Sequence, residues 1–235
     1  MAGRSMRWWI RIPLILIGIL LGIQLWFFGW VMVWRATEPG PTQFMRIRLE
    51  ELQRKNPGAR LQHQWVPYSQ ISVNLKRALV AAEDSKFMQH QGFDVAGIQK
   101  AMEKNEKRGH IAAGGSTITQ QLAKNLFLWP EKSFLRKGEE ALITVMIEAT
   151  WSKRRILEVY MNEIEWGTGI FGAEAAARHY FGISANDLSP AQAAMLASMV
   201  PSPQYYDRQG ETEGLIRQTD VILERMNKVA IPPNR

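Results

Sequence analysis

Ile12 to Trp34 is an uncharged run of 23 residues, and no other feature restricts this chain's fold as strongly. About 20 apolar residues let a helix cross the hydrocarbon core of a bilayer. In that solvent a backbone satisfies its own polar groups only as a helix or a closed barrel. A run apolar on all sides predicts a helix surrounded by lipid rather than one with a single stripe facing a protein core. Pro13 falls in the first turn, where its missing N–H is tolerated. Trp8 and Trp9 at one end, and Trp26, Trp30 and Trp34 towards the other, stand where interfacial aromatics are expected. Arg4, Arg7 and Arg11 precede the run, which puts the N-terminus in the cytoplasm and the rest of the chain outside. The run exceeds a usual signal-peptide h-region and no small-x-small site follows it, so an uncleaved signal anchor is expected.

The expected organisation is a cytoplasmic N-terminus (1–11), a transmembrane anchor (12–34), a linker with an N-terminal helix (35–67) and one domain (68–235). Roughly 200 residues beyond the anchor suffice for a domain with its own core. The whole chain carries a net charge of +7 and no cysteine. The charge suits an anionic partner, and the lack of cysteine excludes disulfides and thiolate metal sites. Ala36 to Pro41 reads as a linker, Thr42 to Lys55 as a helix ended by Asn56-Pro57-Gly58, and Gln64 to Tyr68 as a short extended piece. Helical periodicity predicts helices over Ile71–His90, Val95–Lys104, Thr117–Leu126, Phe134–Trp151, Lys153–Glu163, Ala173–Tyr180, Pro190–Val200 and Glu211–Val229. Ser189-Pro190-Ala191-Gln192 is a capping box with proline at the first helical position. With no run of alternating strands, the soluble part is expected to be mainly α.

Two polar clusters, EDSKFMQHQGFD (83–94) and GGSTITQQLAKN (114–125), flank a basic, turn-rich segment (103–114). If the first helix runs on to His90, Glu83, Phe87 and His90 share one face, and Gly92 ends it. Phe87 would then shelter the Glu83 carboxyl and raise its pKa, as a general acid or base requires. A solvated glutamate and a structural histidine are the plainer alternative. In the second cluster Gly114-Gly115 permits an unusual turn. Ser116 or Thr117 then caps a helix whose free N–H groups favour an anion. Thr117, Gln120, Gln121 and Lys124 fall on one face of that helix, suited to phosphate or sugar; a capped surface helix is the alternative. No P-loop pattern is present. In RKGEE (136–140), Arg136 and Lys137 give Glu140 cationic neighbours, which would set a fixed charge against a tunable one at Glu83. In KRRILEVYMN (153–162), Arg154, Glu158 and Asn162 follow at four-residue spacing, which fits an amphipathic framework helix.

In this order the clusters resemble the glycosyltransferase domain of peptidoglycan polymerases. That lysozyme-like domain stands at the front of class A penicillin-binding proteins and alone in monofunctional peptidoglycan transglycosylases. The resemblance covers nearly all of residues 68–205. It rests on the Glu-Asp…Phe…His…Gly block, on Gly-Ser-Thr-Ile-Thr-Gln-Gln…Lys-Asn (115–125), on Arg136-Lys137…Glu140, on Ile156-Leu157-Glu158…Tyr160…Asn162, and on GTGIFGAEAAARHYFG (167–182). Neither Ser-x-x-Lys nor Lys-Thr-Gly, the marks of an acyl-serine site, occurs. With 235 residues there is no room for a transpeptidase domain, so the monofunctional Gram-negative enzyme of the inner membrane, with a periplasmic catalytic domain, is the expected form.

The resemblance implies that the growing lipid-linked glycan is transferred to the 4-hydroxyl of lipid II, inverting to a β-1,4 bond and releasing undecaprenyl pyrophosphate. It assigns the base to Glu83 and a second catalytic glutamate to Glu140. Ser116, Thr117, Gln121, Lys124, Arg136 and Lys137 are then expected to hold sugar and pyrophosphate. Asp84, Phe87, His90, Gln120, Asn125, Arg154, Glu158 and Asn162 are expected to brace them. No residue spacing suits a metal site; the resemblance leaves room for a loosely bound divalent cation, magnesium or manganese. It also implies a small membrane-embedded subdomain, with Leu126, Phe127, Leu128, Trp129, Phe134 and Leu135 as apolar contacts and Lys104, Lys107 and Arg108 at the headgroups. Division or elongation proteins and class A penicillin-binding proteins are expected partners; nucleic acid is not. The rivals are a glycan hydrolase on the same fold and an inactive lipid II-binding scaffold.

Overall fold

The computed structural model describes residues 6–108, 115–131 and 133–234, without the side chains of Met6, Arg7, Asn105, Lys107 and Arg108. The expectations placed on Arg4, Arg7, Lys107, Arg108 and Gly114 therefore lie outside the described residues. The chain divides into two compact units, one ending at Thr37 and one beginning at Glu38. The first holds α1 (Met6–Trp34), with Pro13 inside it. Its stretch Trp8–Trp34 is long and apolar enough to cross a membrane, with a mean hydropathy of 2.2.

The second unit is mainly α. Thr42 caps α2 (Gln43–Lys55) by accepting the Met45 N–H. Helix α3 (Val73–Glu83) starts at Ser72 and ends seven residues before His90, so the expected helix to that histidine is corrected. Asp84 leaves the helix because its carboxylate takes partners elsewhere, as short polar side chains readily do. Phe87 is fully buried but reaches the core from a turn, its N–H donating to the Asp84 carbonyl. Gly92 adopts φ +92. A β-carbon there would lie 2.7 Å from the Thr144 methyl, so backbone conformation and packing both require glycine.

Helices α4 (Val95–Arg108), α5 (Ile118–Phe127), α6 (Phe134–Thr150) and α7 (Lys153–Glu163) follow. Helix α5 packs against α2, α6 and α7. Ile118, Leu122, Ile143, Ile147, Ile156 and Tyr160 are fully buried and form much of this contact. Beyond α7 come two short strands, β2 (Glu165–Gly167) and β3 (Ile170–Phe171), then α8 (Ala173–Phe181) and α9 (Pro190–Met199). Helix α9 begins in the expected Ser189–Gln192 capping box. Helices α10 (Pro203–Gln209) and α11 (Glu213–Arg225) complete the set, with α3, α9 and α11 packed together.

A small three-stranded sheet was not foreseen: β3 lies in its middle, with β2 on one side and β1 (Gln62–His63) on the other. Strand β1 runs parallel to β3, pairing Gln62 with Ile170, and β2 runs antiparallel to β3. Segments of two or three residues are too short for alternation to register. The extended piece read at Gln64–Tyr68 is shifted: the strand precedes it, and Tyr68–Gln70 is a turn of 3-10 helix.

Candidate active site

Glu83 is the last residue of α3, and α5 supplies its partner. Gln121 Nε2 donates to Glu83 Oε2 at 2.7 Å, and the Tyr160 hydroxyl donates to Gln121 Oε1 at 2.9 Å. The hydroxyl thereby fixes which way the amide points. Burial pushes the Tyr160 phenol well above its ordinary range, helped by the charges of Glu83 and Asp84, so it remains a neutral donor. Burial likewise raises Glu83; the Gln121 hydrogen bond and the Lys124 charge oppose that shift, and Asp84 adds to it. The result is a partly buried carboxylate with an elevated proton affinity and a fixed orientation. The buried Phe87 ring carries the Lys153 ammonium 4.6 Å from its centroid.

The expected anion at the N-terminus of α5 is present, and it belongs to the protein. Asp84 Oδ2 accepts the Ile118 N–H at 3.1 Å, and Asp84 Oδ1 accepts from His90 Nε2 at 2.8 Å. His90 Nδ1 in turn accepts the Gly92 N–H at 3.2 Å, which leaves Nε2–H as the donor. Thr117 and Gln120 form a reciprocal capping box, and the Thr117 hydroxyl donates to the Gly92 carbonyl at 2.7 Å. Both side chains are buried and engaged in these bonds. The four-residue face read from spacing therefore splits. Thr117 and Gln120 hold the helix start, while Gln121 and Lys124 face open space.

Helix α6 begins with Ser133 accepting the Arg136 N–H. Arg136 donates from Nη1 to Glu140 Oε2 at 2.7 Å and from Nε to the Glu131 carbonyl at 2.9 Å. Lys137 pairs with Glu140 Oε1 and also reaches Ser116 Oγ at 3.2 Å. Both oxygens of the buried Glu140 are thus taken by cations, and its evident effect is to orient them. That donor set does not suit a divalent cation. Among the described residues no cluster of His, Asp and Glu has metal-site form either. Lys124 lies in the field of this group. Burial lowers its pKa; Glu140 and Glu83 pull it up, and Arg136 and Lys137 push it down. Among the described residues no hydrogen bond holds its ammonium.

A cavity of about 390 Å³ opens beside Gln121, Lys124 and Asn125, walled also by Phe44 and Arg48 of α2, Glu165 of β2, and Gln204 and Arg208 of α10. A second, more polar hollow of about 270 Å³ lies at Glu83, with Ser116, Asp94 and Arg225 in its lining. The remaining expected supports lie in the frame. Asn162 brackets Val66, accepting its N–H and donating to its carbonyl, each at 3.0 Å. Glu158 accepts the Tyr68 N–H at 2.8 Å and pairs with Arg155, not with the Arg154 that spacing suggested. Arg154 lies over the Tyr68 ring. Sequence reading missed Tyr160, Phe44, Arg48, Glu165 and Gln204 as groups around this site. Tyr160 stands inside a quoted motif, while the other four carry no local signal.

A family model described as Transglycosylase matches residues 49–227. A biosynthetic peptidoglycan transglycosylase of Dechloromonas aromatica (strain RCB) is 60% identical over 225 residues, covering 95% of this chain and 97% of that protein. Proteins of the same description from Azoarcus sp. (strain BH72) and Janthinobacterium sp. (strain Marseille) are 57% and 55% identical; each comparison covers 97% of this chain and 98% of the relative.

Proposed function

This chain belongs to the transglycosylase family as a peptidoglycan transglycosylase, and from that premise we propose that it extends glycan strands from lipid II. The observation that carries the reading is the Tyr160–Gln121–Glu83 relay, which presents a carboxylate of raised pKa in the field of the Lys124 ammonium. Glu83 takes the proton of the acceptor's 4-hydroxyl as that oxygen attacks the anomeric carbon of the lipid-linked donor. The carbon–oxygen bond to the phosphate breaks, and its electron pair leaves on undecaprenyl pyrophosphate. Attack opposite the leaving group converts the α-linked donor to a β-1,4 product. Lys124 and the Arg136–Lys137 pair stabilise the departing charge, with Glu140 holding that pair in place. Ser116, already in contact with Lys137, and Gln121 are placed to meet substrate oxygens.

Helix α1 serves as the single-pass anchor, with the N-terminus cytoplasmic and residues from 38 onward in the periplasm. Phe134 is fully exposed, and Leu135, Trp129 and Met102 are exposed as well; they form the membrane-facing apolar surface. Leu126 and Leu128 belong to the core.

The test is polymerisation of labelled lipid II by the detergent-solubilised protein, resolved on a gel. Wild type is expected to give polymer that muramidase digests. Glu83→Gln is expected to lose about 10²–10⁴-fold in rate while remaining folded. Near-normal polymerisation by that variant would remove Glu83 from the base role. A folded wild-type protein that binds lipid II without extending it would favour the scaffold.

A further inference from the structure

The cavity beside Lys124 is walled by groups from segments distant in sequence, and they connect. Glu165, at the start of β2, is buried and accepts from several sides. Arg48 of α2 approaches it with Nε at 2.9 Å and Nη2 at 3.0 Å. Gln204 of α10 donates at 3.1 Å, and the Gly169 N–H at 3.2 Å. Burial raises the Glu165 carboxyl, against the opposing pull of the Arg48 charge and these hydrogen bonds. One turn before Arg48 on α2, Phe44 presents its ring to two cations: Arg48 Cζ lies 5.7 Å from the centroid and Lys124 Nζ 5.8 Å. Both distances fall within the roughly 6 Å reach of a cation–π attraction. Phe44, Arg48, Lys124, Glu165 and Gln204 all line the same cavity.

We propose that Glu165 and Arg48 are positioning residues for Lys124, acting through the Phe44 ring. Lys124 is otherwise a long side chain with no hydrogen-bond partner among the described residues. An ammonium on a four-carbon stem would lose much of its effect on a departing pyrophosphate if it sampled several rotamers. Glu165, together with Glu51 on α2, holds the Arg48 guanidinium; Arg48 packs over the ring, and the ring limits where the ammonium can stand. Gln204 holds the second oxygen face of Glu165 and ties α10 into the same wall. The inference rests on the reading above, in which Lys124 contacts the pyrophosphate of the donor.

The test is a set of double-mutant cycles with lipid II as substrate, each variant checked by thermal melting. Lys124→Ala alone is expected to lower kcat at least tenfold, as loss of a contact to the departing charge should. Phe44→Leu, which keeps an apolar side chain, and Glu165→Gln are each expected to lower kcat about three- to tenfold with KM within twofold. In the Lys124→Ala background neither change should have a further effect, because the group being positioned is gone. If Lys124→Ala leaves kcat unchanged, the pyrophosphate reading falls. If Lys124→Ala lowers kcat but Phe44→Leu and Glu165→Gln act additively with it, the reading stands and the positioning inference falls. Should Glu165→Gln not fold, Phe44→Leu decides alone.

Discussion

At the scale of single residues, burial is what separates the titratable groups here from ordinary ones. Glu83 is raised from its ordinary 4.5 by burial, and Lys124 is lowered from 10.5 by the same cause. A base must be ionised and an electrostatic stabiliser protonated, so kcat/KM is expected to fall on both sides of neutrality. The acid limb should lie above 4.5 and the alkaline limb below 10.5, and Lys124→Arg should move the alkaline limb upward. A pH–rate profile checks this; an alkaline limb unmoved by Lys124→Arg would count against it. Glu163 offers a contrast away from the cavity. It is fully buried, neither of its oxygens accepts a hydrogen bond among the described residues, and His63 Nε2 stands 3.9 Å off. Burial pushes it up to about 9, against the pull of Arg155 and with the help of Glu38. The folded state therefore binds a proton between about 4.5 and about 9 that the unfolded chain has released. Stability should decline as pH rises through that window. Urea titrations across pH should show a flatter decline for Glu163→Gln, and equal slopes for both proteins would refute the assignment.

At the scale of elements, the start of α5 is the joint on which the site depends. Three devices meet there: the Thr117–Gln120 capping box, the Asp84 carboxylate on the Ile118 N–H, and the Thr117 hydroxyl on the Gly92 carbonyl. Together they set the rotation of α5 and hence the direction of Gln121 and Lys124, one turn further on. Thr117→Ala is expected to lower stability by about 1–2 kcal/mol, the usual cost of losing such a cap, with only a small rise in KM. A large rise in KM without loss of stability, measured by denaturant titration beside the lipid II assay, would make Thr117 a direct substrate contact instead. This element also shows why the polar face was only half legible. Spacing put Thr117, Gln120, Gln121 and Lys124 on one face, which the structure divides between the helix start and the cavity. It carried no information on which of them the helix start would consume, because the Gly92 carbonyl and the Asp84 carboxylate arrive from another segment. The same holds for α3, whose apolar spacing continued to Phe87 while the backbone did not.

At the scale of the whole molecule, an apolar helix long enough to cross a membrane precedes a compact α-rich unit, which fits a single-pass anchored transglycosylase. A reporter fused after Arg235 is expected to be active in the periplasm, and activity confined to the cytoplasm would overturn the orientation. The sequence by itself determined the apolar helix, the spans of most helices and the blocks that mark the family. Those are local properties, written in the order of neighbouring residues and in the 3.6-residue period. Only the tertiary structure decided which polar residues serve the cavity and which serve the frame. Glu83 meets Gln121 across 38 positions, and Arg48 meets Glu165 across 117. Glu158 and Asn162, for all their helical spacing, hold Tyr68 and Val66 in place. A hydrogen bond forms wherever packing delivers a partner to a buried polar group, and no short stretch of sequence records where that partner comes from.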